Sequence, residues 1–161
     1  IALLLFNRRV SKKHWLWVFD RVVVPIALAG AFIRLGNLMN SEIIGKATDV
    51  PWAFVFEKID QVPRHPVQLY ESISYLLFFF LLWWMYWKRN AGAFMGRIFG
   101  VFLIVLWGIR FVLEHFKRSQ GGLEEYFGQS LSTGQLLSIP FILIGIGLLL
   151  FYRGQKYPGY S

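Results

Sequence analysis

Two arginines lie in segments that are otherwise apolar. Arg34 follows the uncharged stretch 22–33, and Arg110 lies late in the apolar run 96–114. Placing an arginine at bilayer depth costs about 2.5–3.5 kcal/mol on insertion scales. A chain that keeps one there usually gives it an anion to hold, either a neighbouring carboxylate or a phosphate group. The two arginines therefore predict an anion-binding site.

Polar residues follow Arg34 at spacings that are typical of one helix face. Asn37 and Ser41 stand three and seven positions later, so a continuing helix aligns all three. Glu42 and Gly45 come next, and a glycine lets backbone N–H groups approach a ligand closely. The functional interpretation is a phosphate or carboxylate site. The alternative is an arginine that extends towards the interface and is satisfied by nearby backbone.

A second polar cluster, residues 63–71, opens the next apolar run. Pro66 suits the first turn of a helix, because it lacks the N–H that would be unpaired there. Gln68 and Glu71 lie three positions apart on one face, and a carboxylate entering an apolar run must be protonated or paired. Glu71 belongs either to the site or to an ion pair that serves assembly. His65 is interpreted as an interfacial histidine, with a general-base role as the alternative.

Arg110 and Glu114 are four positions apart, a spacing that predicts an ion pair on one helix face. That pair could serve only to lower the cost of insertion. If Arg110 instead approaches Arg34 from another helix, the two guanidinium groups form a strong and often bidentate anion site. We expect the two arginines to converge.

The elements that position these residues are predicted to be transmembrane helices. Of 161 residues, 56% are hydrophobic, 19% are aromatic and only 16% are charged, which is unlike an ordinary soluble domain. A span needs about 20 mostly apolar residues. Four segments qualify: 15–39, 67–87, 96–114 and 134–152. We predict an all-α integral membrane protein, with residues 1–161 as a single membrane domain: a bundle of about four complete spans, an N-terminal stub at 1–6 and a small external loop at 40–66.

Charge and cysteine content exclude other classes of site. The formal net charge is +8, but the basic residues cluster beside apolar runs, which argues against a nucleic-acid binder. Without cysteine the chain has no cysteine-held metal and no thiol nucleophile of its own. The three histidines lack the spacing of a metal site. We therefore predict no metal site.

The placement of lysine and arginine predicts the orientation. Three connections carry basic residues without acidic ones: 7–14, 88–97 and 152–161. The connections between them, 40–65 and 116–133, mix both signs, and the second includes Arg118, Glu124 and Glu125. This alternation predicts that both ends of the chain are cytoplasmic and that the mixed loops face the outer side.

Four blocks of the sequence resemble the prolipoprotein diacylglyceryl transferase family of the bacterial inner membrane. The blocks are Arg34-Leu-Gly-Asn-Leu-Met-Asn-Ser-Glu-Ile-Ile-Gly45, Arg64-His-Pro-Val-Gln-Leu-Tyr-Glu71, Gly108-Ile-Arg-Phe-Val-Leu-Glu114 and Gly134-Gln-Leu-Leu-Ser-Ile-Pro140. The first is the most specific, and together they cover about residues 7–153. The resemblance implies a seven-span enzyme of which this chain is the C-terminal part. Since Ile1 is not a methionine, we expect a fragment whose N-terminal spans lie upstream.

The resemblance also implies a reaction. The diacylglyceryl group of phosphatidylglycerol moves to the lipobox cysteine thiol in a prolipoprotein signal peptide, forming a thioether and releasing glycerol phosphate. It implies that no cofactor is needed and that the partners are phosphatidylglycerol, the prolipoprotein and membrane lipid. It further implies a multi-pass protein of the inner membrane with its site towards the outer side. The competing hypothesis is a non-catalytic lipid-binding scaffold or transporter subunit, although the paired repeats of a transporter are not visible.

The family's functional residues fall on matching positions of the blocks. Combined with the polar residues argued above, the predicted catalytic set is Arg34, Glu42, Arg110 and Glu114. The predicted phosphatidylglycerol-binding set is Arg34, Asn37, Gly45, His65, Gln68, Glu71 and Arg110. The acceptor of the thiol proton stays open between a family histidine expected upstream of Ile1, Glu42 and Glu114, with His65 behind them.

Overall fold

A computed structural model describes residues 1–117 and 132–159, so Arg118, Glu124 and Glu125 of the predicted outer loop lie outside the described residues. The described chain contains five α-helices: α1 Ala2–Phe6, α2 Trp15–Met39, α3 Val67–Lys88, α4 Arg97–Leu113 and α5 Thr133–Phe151. Two short strands, β1 Phe54–Val55 and β2 Pro63–Arg64, pair antiparallel between α2 and α3. Single turns of π-helix and 3₁₀-helix complete the chain at Asn7–Ser11, Ala91–Ala93 and Glu114–Phe116.

The four longer helices are each long and apolar enough to cross a membrane. The predicted all-α membrane bundle is therefore confirmed, and each predicted span agrees with its helix to within one residue at either end. Large apolar side chains on the outer faces remain exposed, among them Leu77, Trp87, Leu143 and Phe151. Such a belt is stable only where lipid, and not water, surrounds it.

Helix α5 begins with a capping box. The Ser132 hydroxyl accepts a hydrogen bond from the Gln135 backbone N–H at 3.2 Å, and the Gln135 side chain accepts one from the Ser132 N–H at 3.0 Å. These two bonds satisfy N–H groups that have no partner inside the helix. Gln135 also donates to the Phe111 carbonyl at 3.3 Å, which ties the start of α5 to the end of α4.

The helices pack as α2 against α3 and α4 against α5, with α3 and α4 joining the two pairs. Core side chains from α2, α3 and α4 meet in one cluster that includes Val23, Phe78, Leu82 and Phe102. Small residues allow α4 and α5 to approach closely, because a Cβ on Gly145 would lie only 2.8 Å from the Gly100 carbonyl oxygen.

Asp20 fixes the end of the bundle where α2 and α4 begin. It is fully buried, and its carboxylate accepts bonds from the backbone N–H groups of Gly96 and Phe99, at 2.9 and 2.7 Å. The Tyr157 hydroxyl donates to the same carboxylate at 2.6 Å. The carboxylate thus satisfies the unpaired N–H groups at the start of α4. Burial, with the bond to Asp20, raises the pKa of the Tyr157 hydroxyl.

The connection between α2 and α3 folds back over the opposite end of the bundle. Gly45 and Lys117 form an isolated antiparallel bridge, and the Lys46 N–H donates to the Phe116 carbonyl at 2.8 Å. The His65 N–H donates to the Lys46 carbonyl at 3.0 Å. The connection therefore joins the start of α3 to the segment that leaves α4.

Candidate anion-binding site

Arg34 lies five residues before the end of α2 and is held from two directions. Its Nε is 3.1 Å from Glu71 Oε2 on α3. The Asn37 amide, oriented to satisfy both of its neighbours, accepts from Arg34 Nη1 at 3.3 Å and donates to Glu42 Oε2 at 3.2 Å. The ion pair and the amide together fix the orientation of the guanidinium group.

Glu71 is shared between two cations. Its side chain is fully buried, with Oε2 facing Arg34 and Oε1 lying 3.0 Å from Lys117 Nζ. Neither oxygen accepts a well-aligned hydrogen bond within the described chain, so the contacts are mainly electrostatic. A buried carboxylate without such partners would be costly. Glu71 thus lies in the predicted site and also pairs between helices, which combines the two interpretations of its sequence context.

Lys117 extends this chain of charges. Its Nζ is also 3.1 Å from Glu114 Oε2, and its side chain is only 9% exposed. The result is an ordered sequence of alternating charges: Arg34, Glu71, Lys117 and Glu114. It connects α2, α3 and the segment after α4, and thereby positions three elements relative to one another.

Arg110 does not form the ion pair that its spacing from Glu114 predicts. Helix α4 ends at Leu113, Glu114 begins a 3₁₀ turn, and its carboxylate contacts Lys117 instead. Arg110 Nε is buried, and no described residue accepts a hydrogen bond from it. The guanidinium carbon lies 5.0 Å from the centroid of the Trp107 ring. Arg110 therefore keeps a buried donor that a ligand could use.

Tyr75 is a buried neighbour of these charges. It is 3% exposed, and the charges of Arg34, Arg110 and Glu71 all act on its hydroxyl. Arg34 from α2 and Arg110 from α4 thus both influence one hydroxyl on α3. The convergence of the two guanidinium groups on one ligand stays a prediction.

Gln68 and Glu42 lie beside this group. Gln68 is fully buried one turn before Glu71, and its Nε2 donates to the Glu42 backbone carbonyl at 2.6 Å. Gln68 Oε1 is buried and has no hydrogen-bond partner among the described residues. Glu42 is exposed, and its carboxylate accepts a hydrogen bond from the Asn37 amide.

Gly45 and His65 contribute to the framework around the charges. A Cβ on Gly45 would overlap the His65 carbonyl oxygen and lie 2.9 Å from Val67 Cγ2, so this position allows backbone to meet backbone. The His65 ring packs edge-on against Phe116, with 5.3 Å between centroids, and its Nδ1 is 3.2 Å from the Tyr70 hydroxyl. Neither residue belongs to the chain of alternating charges.

Sequence reasoning missed two members of the site. The predicted catalytic and binding sets include neither Lys117 nor Tyr75. Tyr75 stands four positions after Glu71, and Lys117 stands three positions after Glu114, spacings that place side chains on one face of a helical turn. Within the described residues no group of three or more histidine, aspartate or glutamate side chains could hold a metal ion. The described cluster suits an anion.

Comparison with known proteins agrees with the resemblance. The family model described as prolipoprotein diacylglyceryl transferase matches residues 1–151. The phosphatidylglycerol–prolipoprotein diacylglyceryl transferase of Tolumonas auensis is 47% identical over 156 residues, which cover 97% of this chain and 59% of the relative. The protein of the same name from Bacteroides fragilis is 44% identical over 156 residues, covering 97% and 55%. The one from Porphyromonas gingivalis is 46% identical over 170 residues, covering 98% and 59%.

The chain spans between about half and three fifths of the length of these curated relatives. The family model nevertheless covers almost the whole of it, including every residue of the site described above. This chain belongs to the prolipoprotein diacylglyceryl transferase family.

Proposed function

We propose that the full-length protein transfers the diacylglyceryl group of phosphatidylglycerol to the lipobox cysteine thiol of prolipoproteins. Family membership and the names of the relatives support this proposal. The single structural observation that carries it is the buried Nε of Arg110, which has no hydrogen-bond partner among the described residues. We further propose that the protein lies in the bacterial inner membrane with this site towards the outer side.

The phosphate of phosphatidylglycerol binds between the two guanidinium groups. Glu71 forms its ion pair with the Nε of Arg34 and does not occupy the two terminal nitrogens, of which Nη1 contacts Asn37. Arg110 offers its buried Nε, which has no partner among the described residues. Charge-assisted bonds from two arginines hold a phosphate more strongly than neutral donors do. The unpartnered Gln68 Oε1 accepts a hydroxyl of the glycerol headgroup.

The reaction breaks one bond and forms another. The thiol loses its proton, because the thiolate is the nucleophile, and the sulfur attacks the glyceryl carbon that carries the phosphate ester oxygen. The C–O bond breaks, and its electron pair leaves with glycerol phosphate. The growing charge on the leaving phosphate is stabilised by donors that are already in position. Those donors are Arg34 and Arg110.

Four groups are candidates for the base that accepts the thiol proton. Glu42 is exposed and hydrogen-bonded to Asn37, whereas Glu114 is ion-paired with Lys117. A family histidine upstream of Ile1 is the third candidate, and His65 the fourth. The field of the two arginines favours the thiolate wherever the proton goes.

The reaction is tested by incubating the full-length protein with phosphatidylglycerol and a lipobox peptide, and measuring the mass of the peptide. We expect the mass of one diacylglyceryl group to be added. Arg34→Ala and Arg110→Ala should each lower the transfer rate by about 10²–10³-fold, as the loss of one preorganised donor does in other enzymes.

The matched control is Arg89→Ala. Arg89 lies at the other end of the bundle, over the Trp84 ring, and its variant should transfer at the wild-type rate. Wild-type rates in both Arg34→Ala and Arg110→Ala would contradict the assigned site. A wild-type protein that binds phosphatidylglycerol without modifying the peptide would favour the scaffold hypothesis instead.

A further inference from the structure

A cavity lies at the end of the bundle opposite the Arg34 cluster. Its volume is about 470 Å³, and it is bounded by Met85 near the end of α3, by Arg97 and Val101 on α4, by Leu149 near the end of α5 and by Arg153 in the turn that follows it. Met85 lies 14 residues after Glu71 on helix α3, which corresponds to about 21 Å along the helix axis. The cavity is therefore separated from the proposed active site by about two thirds of the thickness of a bilayer core.

Both charged residues that line the cavity are cations. Arg97 and Arg153 bear these charges, and neither forms an ion pair with any described residue. The Arg97 guanidinium carbon lies 3.7 Å from the centroid of the Phe94 ring. Stacking of this kind uses the face of the guanidinium plane and leaves the N–H donors at its edge for a ligand.

Most of the rest of the cavity wall is apolar. Met85, Val101 and Leu149 contribute to it. At its rim, Leu150 is 67% exposed, and the adjacent Phe151 is 74% exposed. Exposed side chains of this size at the end of a membrane-spanning helix contact lipid. The cavity thus combines two uncompensated cations with an apolar wall that continues into a lipid-facing surface.

We propose that this cavity binds an anionic phospholipid, with its phosphate on Arg97 and Arg153 and an acyl chain against the apolar wall. The surrounding connections, 88–97 and 152–161, are basic and are predicted to be cytoplasmic, so the lipid comes from the cytoplasmic leaflet. Basic pockets between membrane helices on that side commonly bind anionic headgroups. Two other molecules offer only half of this match. Inorganic phosphate has the negative charge but no acyl chain, and a zwitterionic lipid has acyl chains but no net charge.

The site is tested by position-resolved photocrosslinking. The full-length protein is placed in phosphatidylcholine nanodiscs that contain a small amount of phosphatidylglycerol with a photoactivatable acyl chain, and the labelled peptides are identified by mass spectrometry. We expect labelling within 85–101 and 149–153. The double variant Arg97→Gln/Arg153→Gln should reduce labelling there about tenfold, equivalent to about 1.4 kcal/mol, and should leave labelling near Arg34 unchanged.

Matched variants keep the result interpretable. Arg89→Gln removes a cation at the same end of the bundle but outside the cavity, and it should label like the wild type. Arg97→Lys/Arg153→Lys keeps both charges and should retain most of the labelling. Three outcomes would overturn the proposal: equal labelling by a phosphatidylcholine probe, full competition by millimolar inorganic phosphate, or undiminished labelling in the Gln double variant. The comparison of the two lipid probes needs only wild-type protein, so it tests the proposal even if the Gln double variant fails to fold.

Discussion

At the level of single residues, Glu71 holds the geometry of the anion site. Its buried carboxylate lies 3.1 Å from Arg34 Nε and 3.0 Å from Lys117 Nζ. A residue in this position acts on the substrate through its neighbours, because it sets where the guanidinium group of Arg34 points. The sequence could identify Glu71 as a carboxylate that needs a partner, since it stands inside an apolar run.

Glu71→Gln should therefore damage both stability and transfer. The amide keeps the shape of the side chain but leaves two buried cations without their shared anion, a change that costs about 3–5 kcal/mol when one partner of a buried pair is removed. Unfolding in mixed detergent micelles measures the stability, and the peptide mass assay measures transfer. Glu57→Gln, in an exposed part of the connection, is the control. Equal stability of Glu71→Gln and wild type would show that the ion pairs contribute nothing.

The members of the site could not all be read from the sequence. Asn37 and Gln68 follow from helical spacing within one element. Lys117 is 46 positions away from Glu71 in the chain, and nothing in local periodicity brings them together. Arg110 and Glu114 show the opposite failure, because their spacing predicts a pair, whereas the Glu114 carboxylate contacts Lys117 instead.

At the level of elements, the connection 40–66 depends on Gly45. A side chain there would overlap the His65 carbonyl oxygen and break the close approach that joins the connection to Lys117. Periodicity and apolar length identified the helices to within one residue at their ends, because a membrane-spanning helix is constrained by the bilayer. The docking of the connection depends on a backbone contact that leaves no periodic pattern.

Gly45→Ala should release the connection without unfolding the helices. We expect transfer to fall at least about tenfold and proteolytic cleavage within 40–66 to become faster, while helix content by circular dichroism stays the same. Gly36→Ala is the matched control, since no atom lies within 4 Å of the added Cβ. That variant should be as stable as the wild type or gain about 0.5–1 kcal/mol. Identical behaviour of the two variants would contradict the packing role of Gly45.

Tyr157 stabilises the opposite end of α4 through its bond to Asp20. Tyrosine titrates near pH 10 in an unfolded chain, and burial raises the pKa of Tyr157 in the folded protein. The stabilising contribution is therefore complete below about pH 10 and is lost as pH rises towards the folded-state pKa. Between pH 8 and pH 11, the thermal unfolding temperature should fall more steeply with pH for the wild type than for Tyr157→Phe. Parallel profiles would contradict the bond.

At the level of the whole molecule, orientation in the membrane remains a prediction from the alternation of basic and mixed connections. The chain contains no cysteine, so single cysteines can report the side of the membrane. We expect Glu57→Cys to react with a membrane-impermeant maleimide in intact cells with a permeabilised outer membrane. Asn90→Cys should react only after the inner membrane is opened. Labelling in the reverse order would invert the topology and place the anion site in the cytoplasm.

The alternating charges around Glu71 set an electrical balance for the loaded protein. Among the side chains shielded from water, Arg34, Lys117 and Arg110 carry three positive charges, and Glu71 and Glu114 carry two negative ones. Glu42 is exposed, so water screens its charge. The group is one elementary charge short of neutrality when empty, and a phosphodiester with one negative charge supplies the difference. A headgroup that brings its own ammonium leaves the imbalance in place. The site can thus discriminate between lipid headgroups by their net charge alone, without contacts that depend on headgroup shape.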